Sequence, residues 1–489
     1  PVWNKTRGFC GKPWAWCAIQ TFGDAVYLGG ALTRMHAELP AARRDPLGAR
    51  LTGLGFVNEG LDYNPIIFDF LFEQAWRSES ADLNQWVRDY SRRVHGNTNS
   101  AAAWALLKDT VFTRLCQVAT AYTLPPSLHP AGDAPYSNEQ LAQAWRLLLD
   151  AANSAATSSD AYRFDLVNVT RQVLGNYSAE LQREAVEAWQ SKDRPRLKAA
   201  AMRMQELIRE VDELLATREE FLLGKWLADA RRWGANRQES DLMEWNARRV
   251  MTMWGETTSI RDYSRREWSG MMTGFYGPRW SKFFQALEAA LDQGGSFDAR
   301  AFDRDLQAWE RSWAGQHEVY PTEPRGDAIA LSRRLWEKYR ELLARAYAPE
   351  ATSLTTGKPV KCSSSLPAFP ASLANDGRKK STDRYWATDV NQDKDPWWQV
   401  DLLQPATVGR VVVIGYFGDQ RHYGFTVELS PDGQTWETVA DRRTNQEPST
   451  LSGYTCNFSP RTARYLRVRQ TANSANTGRH LVEVMAFEK

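Results

Sequence analysis

No run of about 18 apolar residues occurs in the 489 residues, so the sequence offers no membrane-spanning helix. An excess of one charge is also missing: 61 basic and 59 acidic residues leave a formal net charge of +2. Short basic pairs such as Arg442-Arg443 are flanked by polar residues, so no clustered face is expected to draw nucleic acid. Five cysteines (Cys10, Cys17, Cys116, Cys362, Cys456) are too few for a disulfide scaffold, although Cys362 and Cys456 could pair. No CxxC or HExxH spacing suggests zinc. No signal peptide is visible, and the chain opens on Pro1 in aromatic-rich text (Trp3, Trp14, Trp16). It is expected to be a piece of something longer, so the missing signal is silent about secretion.

Against these absences stand 43% hydrophobic and 25% charged residues, an ordinary globular balance. At roughly 150 residues per domain the length predicts about three domains. The outlier is tryptophan, with 21 copies, a load typical of proteins that handle sugars or stack flat ligands.

Periodicity divides the chain into three: 1–80, 81–347 and 348–489. In the first, a short apolar run (Trp14 to Ile19) and a second (Leu51, Leu54, Phe56, Val57) flank a helix-length stretch, as in part of a βα barrel. The segment is too short to close a barrel alone and would expose strand edges. The second has apolar residues at helical spacing (Leu207, Val211, Leu214, Leu215) and predicts an all-α domain; its tryptophans are expected mostly between helices. Linker composition then runs from Ala348-Pro349 through Thr355-Thr356-Gly357. After it, β-rich runs (Val408–Ile414, Phe425–Leu429, Thr435–Val439, Tyr465–Val468) with turns such as Asp432-Gly433 predict an antiparallel β-sandwich. The fold class is multidomain α+β: a partial (β/α) barrel, a large helical domain and a jelly-roll, galactose-binding-like sandwich.

Glu59 is the chemically interesting carboxylate, because it follows an apolar strand and precedes a glycine, a placement at the C-terminal mouth of a barrel. A loop glutamate is usually a solvated surface residue, so position alone makes a weak case.

Several separate motifs then occur in order: Trp14-Ala15-Trp16-Cys17, Phe22-Gly23, Glu59-Gly60, Asn64-Pro65, Glu73-Gln74-Ala75-Trp76, Phe221 to Leu227, Ala247 to Gly255, Ile260-Arg261-Asp262-Tyr263 and Phe275 to Trp280. Over residues 1 to 345 this text resembles the end of the barrel and the helical domain of the α-N-acetylglucosaminidase family, glycoside hydrolase family 89. Ala374-Asn375-Asp376-Gly377, Tyr385 to Thr388, Pro396 to Leu402 and Ala463 to Val468 are similar to a discoidin, or factor 5/8 type C, carbohydrate-binding module.

The first resemblance implies a retaining exo-α-N-acetylglucosaminidase acting on terminal α-linked N-acetylglucosamine, with no catalytic cofactor and Glu59 as nucleophile. Retention needs a second carboxyl group about 5–5.5 Å away. The family's acid/base glutamate lies on an earlier strand, expected upstream of Pro1, so the fragment alone is expected to be inactive. Glu73 and Asp62 are its nearest substitutes in sequence, and Glu73 falls in a helical stretch better suited to ion pairing. The resemblance also implies a sugar pocket with Trp16, Cys17, Trp254, Ile260 and Tyr263, the last two expected on one helical face. Helix-core packing is the alternative for each. The chain departs from the family at Ile19-Gln20-Thr21, where many members read leucine-histidine-asparagine, and at Asp24-Ala25. Polar contacts to the sugar are therefore expected to differ.

The second resemblance implies a structural Ca²⁺ held by Asp376, Glu483 and Ser381. For glycan capture, Tyr416, Phe417, His422, Tyr423, Asn476 and Arg479 lie in loops or strand ends, while Trp397 and Trp398 are expected in the core. The implied location is extracellular or periplasmic, and the implied partners are N-acetylglucosamine-containing glycans. A non-catalytic glycan- or cell-surface-binding protein is the alternative, and phospholipid an alternative ligand of the sandwich.

Overall fold

The computed structural model describes residues 2–488 except 24, 61–62, 78–80, 114–118, 133, 153–158, 256–259, 295, 348–351, 380–381, 383, 392 and 420. Strands β1 (Trp14–Ile19) and β2 (Leu51–Val57) pair in parallel, with Ile19 opposite Val57. The Leu32–Arg44 helix connects them, a βαβ unit as expected. Along β1, Trp14, Trp16 and Ala18 turn toward the protein, while Ala15, Cys17 and Ile19 are exposed, the strand's two-residue period. The open face pairs small with small, Ala15 opposite Gly53 and Cys17 opposite Gly55.

Helices fill the chain from Leu83 to Ala346. Their centre is the Asp160–Gln190 helix, capped by Ser159, whose Oγ accepts the Tyr162 N–H. It is buried on nearly every side, including the polar Asn168, Thr170, Arg171 and Gln172. The Arg194–Leu215 helix packs against it through Leu197, Met204, Leu207, Ile208 and Val211, an i, i+3/i+4 stripe. One hydrophobic core runs from Val26 to Leu343, so the βαβ unit and the helices share an interior. Trp86, Trp104, Trp145, Trp189, Trp268, Trp280 and Trp313 are buried in it; Trp233 is exposed. Among the described residues no helix is long and apolar enough to cross a membrane.

The C-terminal region is antiparallel. Strands β3 (Val360–Cys362), β5 (Trp397–Ile414), β6 (Tyr423–Ser430), β7 (Glu437–Asp441), β8 (Tyr454–Asn473) and β10 (Glu483–Phe487) form one sheet, and β4 (Trp386–Ala387) pairs with β9 (His480–Leu481). The first half of β5 lies between β3 and β8, its second half between β8 and β10. Register shifts divide the halves, and both contribute to one core that includes Trp398, Val413, Phe425, Leu466 and Val484. Trp397 is half-buried beneath the Arg467 guanidinium, 4.8 Å from its ring.

Three expectations are corrected here. Residues 353–357 belong to the sandwich rather than a linker: the Thr355 hydroxyl donates to the Val484 carbonyl (2.7 Å), and Ser353 Oγ accepts the Ala486 N–H (2.9 Å). The third β-rich run begins at Glu437, because the Thr435 amide is drawn onto Asp432 Oδ1 in the preceding turn. Cys362 and Cys456 are free thiols, as are Cys10 and Cys17; Cys116 lies outside the described residues.

Candidate active site

Parallel pairing sends the C-terminal ends of β1 and β2 to the same edge, where the loops carrying Gly23 and Glu59 meet. The Gly23 amide donates to the Glu59 carboxylate. Gly23 has φ +62, and a Cβ there would lie 2.6 Å from the Tyr263 carbonyl oxygen, so side chains are excluded by both conformation and space. Ser264 Oγ donates to the Gly23 carbonyl, clamping a turn of the helical region onto the barrel edge. The Tyr263 phenol faces the same Glu59 carboxylate; burial first, then hydrogen bonding to that carboxylate and its charge, raise the phenol above its ordinary value. The Trp254 ring stands edge-on to Tyr263 at 5.2 Å and 88° and is 37% exposed. Glu59 thus forms one constellation with Tyr263 and Trp254, which lie about two hundred residues further along the sequence.

Ile260 borders it, also 37% exposed, at the end of a 3-10 turn that does not run on to Tyr263, so the two do not share a helix face as expected. Asp262 has φ +57, which interrupts any helix; the Tyr263 N–H instead closes a turn on the Ile260 carbonyl at 3.1 Å. The unusual backbone is held by charge: buried Asp262 takes both ends of the Arg279 guanidinium, at 2.9 and 2.8 Å. Glu310 lies 2.6 Å from Arg261 and 3.3 Å from Arg279, completing a buried ion network.

Trp16 and Cys17 do not share a face. Trp16 points inward and packs with the Trp3, Trp14 and Ala42 cluster, while Cys17 points to the open side. Trp16 therefore has a packing environment. Glu73, at the end of the Pro65–Glu73 helix, is committed to Arg77 and to the Trp86 indole N–H (2.7 Å), in line with an ion-pairing role. Asp62 lies outside the described residues.

In the sandwich, aromatic rings gather around His480. Tyr385 meets it at 5.3 Å, Tyr416 at 6.3 Å, and the Tyr423 hydroxyl shares a hydrogen bond with its Nδ1 at 2.9 Å. Burial, then the charges of Arg421 and Arg479, push the imidazole down to about 4. Tyr416 is half-buried under Arg421, 4.6 Å from its ring. Tyr423 and Phe417 are buried and so support the surface rather than form it, a correction to their selection as contacts. The Arg479 guanidinium is spent on carbonyls of Thr477 (2.7 Å) and Thr471 (3.2 Å), and Asn476 Oδ1 accepts the Gly478 N–H (2.9 Å). Both shape their own loop; His422 remains partly exposed at its edge.

Buried Glu483 accepts the Gly377 N–H (3.2 Å), placing a carboxylate against the 376–377 turn. That hard-oxygen donor fits Ca²⁺. Asp376, however, is engaged by Arg384 at 2.7 Å, and Ser381 lies outside the described residues. The expected three-residue set is therefore not assembled as it stands. Asp241, Glu244 and His317 offer ligand atoms within 4.8 Å of one another, but Glu244 is clamped by Arg231 and Arg248, whose positive charges oppose a cation there.

Family models match the chain in three successive pieces: an α-N-acetylglucosaminidase TIM-barrel domain over residues 1–78, an α-N-acetylglucosaminidase C-terminal domain over 86–338, and a NedA-like galactose-binding domain over 373–468. The chain belongs to the α-N-acetylglucosaminidase family. Human alpha-N-acetylglucosaminidase is 33% identical over 348 residues, which are 69% of this chain and 47% of that protein. The family 89 glycoside hydrolase of Clostridium perfringens in complex with PUGNAc superposes with a TM-score of 0.64 at 26% identity, covering 69% of this chain and 40% of its own. Its complex with GlcNAc-α-1,4-galactose gives 0.63, 26%, 70% and 41%. The chain thus spans about half the length of these relatives.

Within this family framework, the departure at Gln20-Thr21 has a structural use. The Gln20 side-chain amide donates to the Gly29 carbonyl (2.7 Å) within the segment after β1, and the Thr21 hydroxyl donates to the Gly60 carbonyl (3.0 Å), tying that segment to the loop after β2. Sequence reasoning missed Gly23's amide, Arg279 and His480. The first two sat inside quoted family motifs, Phe22-Gly23 and Phe275 to Trp280, where a reading of side chains for chemistry passed over a backbone donor and a buried counter-charge.

Proposed function

We propose that this chain carries the nucleophile half of a retaining α-N-acetylglucosaminidase site, acting on terminal α-linked N-acetylglucosamine, with the sandwich as its glycan-binding module. The observation that carries the reading is the Glu59 carboxylate held between the Gly23 amide and the Tyr263 hydroxyl, beside the exposed Trp254 ring. Donors on two sides aim the carboxylate, which is what attack on an anomeric carbon requires. Trp254 offers an apolar face to a pyranose ring. In support, the superposed Clostridium perfringens hydrolase is described with N-acetylglucosamine-containing ligands. The acid/base carboxyl is not assigned to any residue of this chain, Glu73 being committed elsewhere.

The test is hydrolysis of an aryl α-N-acetylglucosaminide by the whole protein, with NMR observation of the first-formed anomer. Glu59→Ala is expected to lower kcat by about 10⁴-fold or more with folding intact. Activity retained in that variant, or an inverted product, overturns the assignment.

The half-built calcium donor set reads as a Ca²⁺ site that forms when Arg384 releases Asp376, with Glu483 as the fixed ligand. Calorimetric titration with Ca²⁺ should show tighter binding in Arg384→Gln than in the parent chain; no heat in either discards the ion. The location we propose is extracellular or periplasmic, where polymeric glycans are met.

A further inference from the structure

Between the outer faces of the Asn138–Asp150 and Ala328–Ala346 helices lies a cleft of about 580 Å³, within the size range of small-ligand sites. Its aromatic element is Trp336, half-buried, standing edge-on against Trp145 at 5.1 Å and 81°. Trp145 is itself fixed: its indole N–H donates to Ser332 Oγ at 2.8 Å, and Ser332 shares a hydrogen bond with Thr170 at 2.8 Å. The Trp336 ring is therefore set in place before any ligand arrives.

Around it stand donors and acceptors with little else to do. Arg333, one turn before Trp336, makes no ion pair among the described residues, and the Trp336 indole N–H has no partner among them. The pair Arg146–Asp150 is 3.5 Å apart and Arg340–Glu337 3.3 Å, all four side chains more than half exposed. Exposed pairs of this kind contribute little stability, so their members exchange readily onto ligand oxygens.

The balance of the lining selects the ligand class. Three guanidinium groups face three carboxylates, Arg146, Arg333 and Arg340 against Asp150, Glu337 and Glu341. A phosphate-like anion only accepts hydrogen bonds and would be repelled by the carboxylates. A partner helix would need a longer apolar stripe than Leu149, Trp336 and Ala344 provide. Hydroxyls both donate and accept, and a pyranose has an apolar C–H face for an indole.

We propose that this cleft is a saccharide-binding site sharing no residue with the Glu59 constellation. One pyranose ring lies on the Trp336 indole; Arg333 and the indole N–H donate to its oxygens, and Glu337 accepts from a hydroxyl. Such a site would let the protein hold a glycan at a point besides the Glu59 constellation and the sandwich.

The chain labelled with fluorotryptophan provides a local readout, the Trp336 fluorine resonance being the one lost in Trp336→Phe. Titration with diacetylchitobiose is expected to move that resonance with a Kd of about 1 mM. Arg333→Met should weaken binding about threefold or more, while Glu59→Gln leaves it unchanged. An immobile resonance up to about 50 mM sugar, well past that Kd, overturns the proposal. So does a shift unaffected by Arg333→Met, one abolished by Glu59→Gln, or one produced by sodium sulfate and not by the sugar.

Discussion

Two aromatic sites of this chain, one around Tyr263 and Trp254 and one around His480, are stabilised by opposite means. Around Tyr263 and Trp254 the backbone is bent by a left-handed aspartate and secured by buried charges, Asp262 with Arg279 and Glu310 with Arg261. Around His480 the rings of Tyr385, Tyr416 and Tyr423 enclose an imidazole kept neutral by burial and nearby arginines. A charge-locked turn fails badly when one partner is removed. A nest built on a neutral imidazole tolerates small changes of shape yet is exposed to protonation.

The largest expected effect tests the charge lock. Arg279→Met leaves Asp262 buried and unpaired, at a cost of about 3–5 kcal/mol, and the 260–264 turn should lose its hydrogen-exchange protection. Denaturant unfolding with exchange mass spectrometry measures both. A variant of unchanged stability and protection would mean that the ion pair does not hold the turn, and the contrast with the sandwich would disappear.

That turn also marks how far the sequence could be read. Glu59, Trp254, Ile260 and Tyr263 were selected from short motifs, and three of them meet, because strand ends and turns put residues near motif boundaries at the same edge. The conformation was misjudged: spacing of three suggested a helix, and nothing in the text announces that Asp262 will take a positive φ once Arg279 supplies its counter-charge. Pairing Trp16 with Cys17 failed for a plainer reason, the alternation of a strand. In the sandwich, β5 appeared only from Val408 onward, because Pro405 and the left-handed Leu403 split a strand whose first half was read as a fold motif. His480 was overlooked beside Arg479, although it is His480 that the β4–β9 pairing carries into the aromatic cluster.

Next in size is the acid response of the His480 nest. With the imidazole at about 4 when folded and about 6.5 when unfolded, the unfolded chain binds the extra proton between those values. This stabilisation is complete above about pH 6.5, falls as pH drops, and is gone below about 4, a loss of up to about 3 kcal/mol. Thermal unfolding of the chain from pH 7 to pH 4, compared with His480→Gln, isolates it. If both lose stability in parallel, His480 does not provide the acid sensitivity of the sandwich.

Tyr263→Phe separates the hydrogen bond from the packing. The phenyl ring keeps the contact with Trp254, while Glu59 loses a charge-assisted donor, so the bound state loses about 1.5–3 kcal/mol. Calorimetry with 2-acetamido-1,2-dideoxynojirimycin, carried by the Clostridium perfringens relative, should therefore show at least about tenfold weaker binding at unchanged melting temperature. Equal affinity would assign Tyr263 to packing alone.

The smallest effect concerns the seam between the regions compared. The Ser452 hydroxyl donates to Glu187 at 2.8 Å, and Gln190 donates to the Phe417 carbonyl at 3.1 Å, so loops beside the His480 nest rest on the end of the Asp160–Gln190 helix. The Ser452–Glu187 bond is exposed, so Ser452→Ala should cost under about 1 kcal/mol. A larger loss, or separation of one melting transition into two, would show that the seam stabilises the sandwich. The acid response of His480 would then reach the helical region and the Glu59 turn through it. Calorimetric scans of Ser452→Ala at pH 7 and pH 4 decide this: equal small losses at both keep the two sites energetically separate.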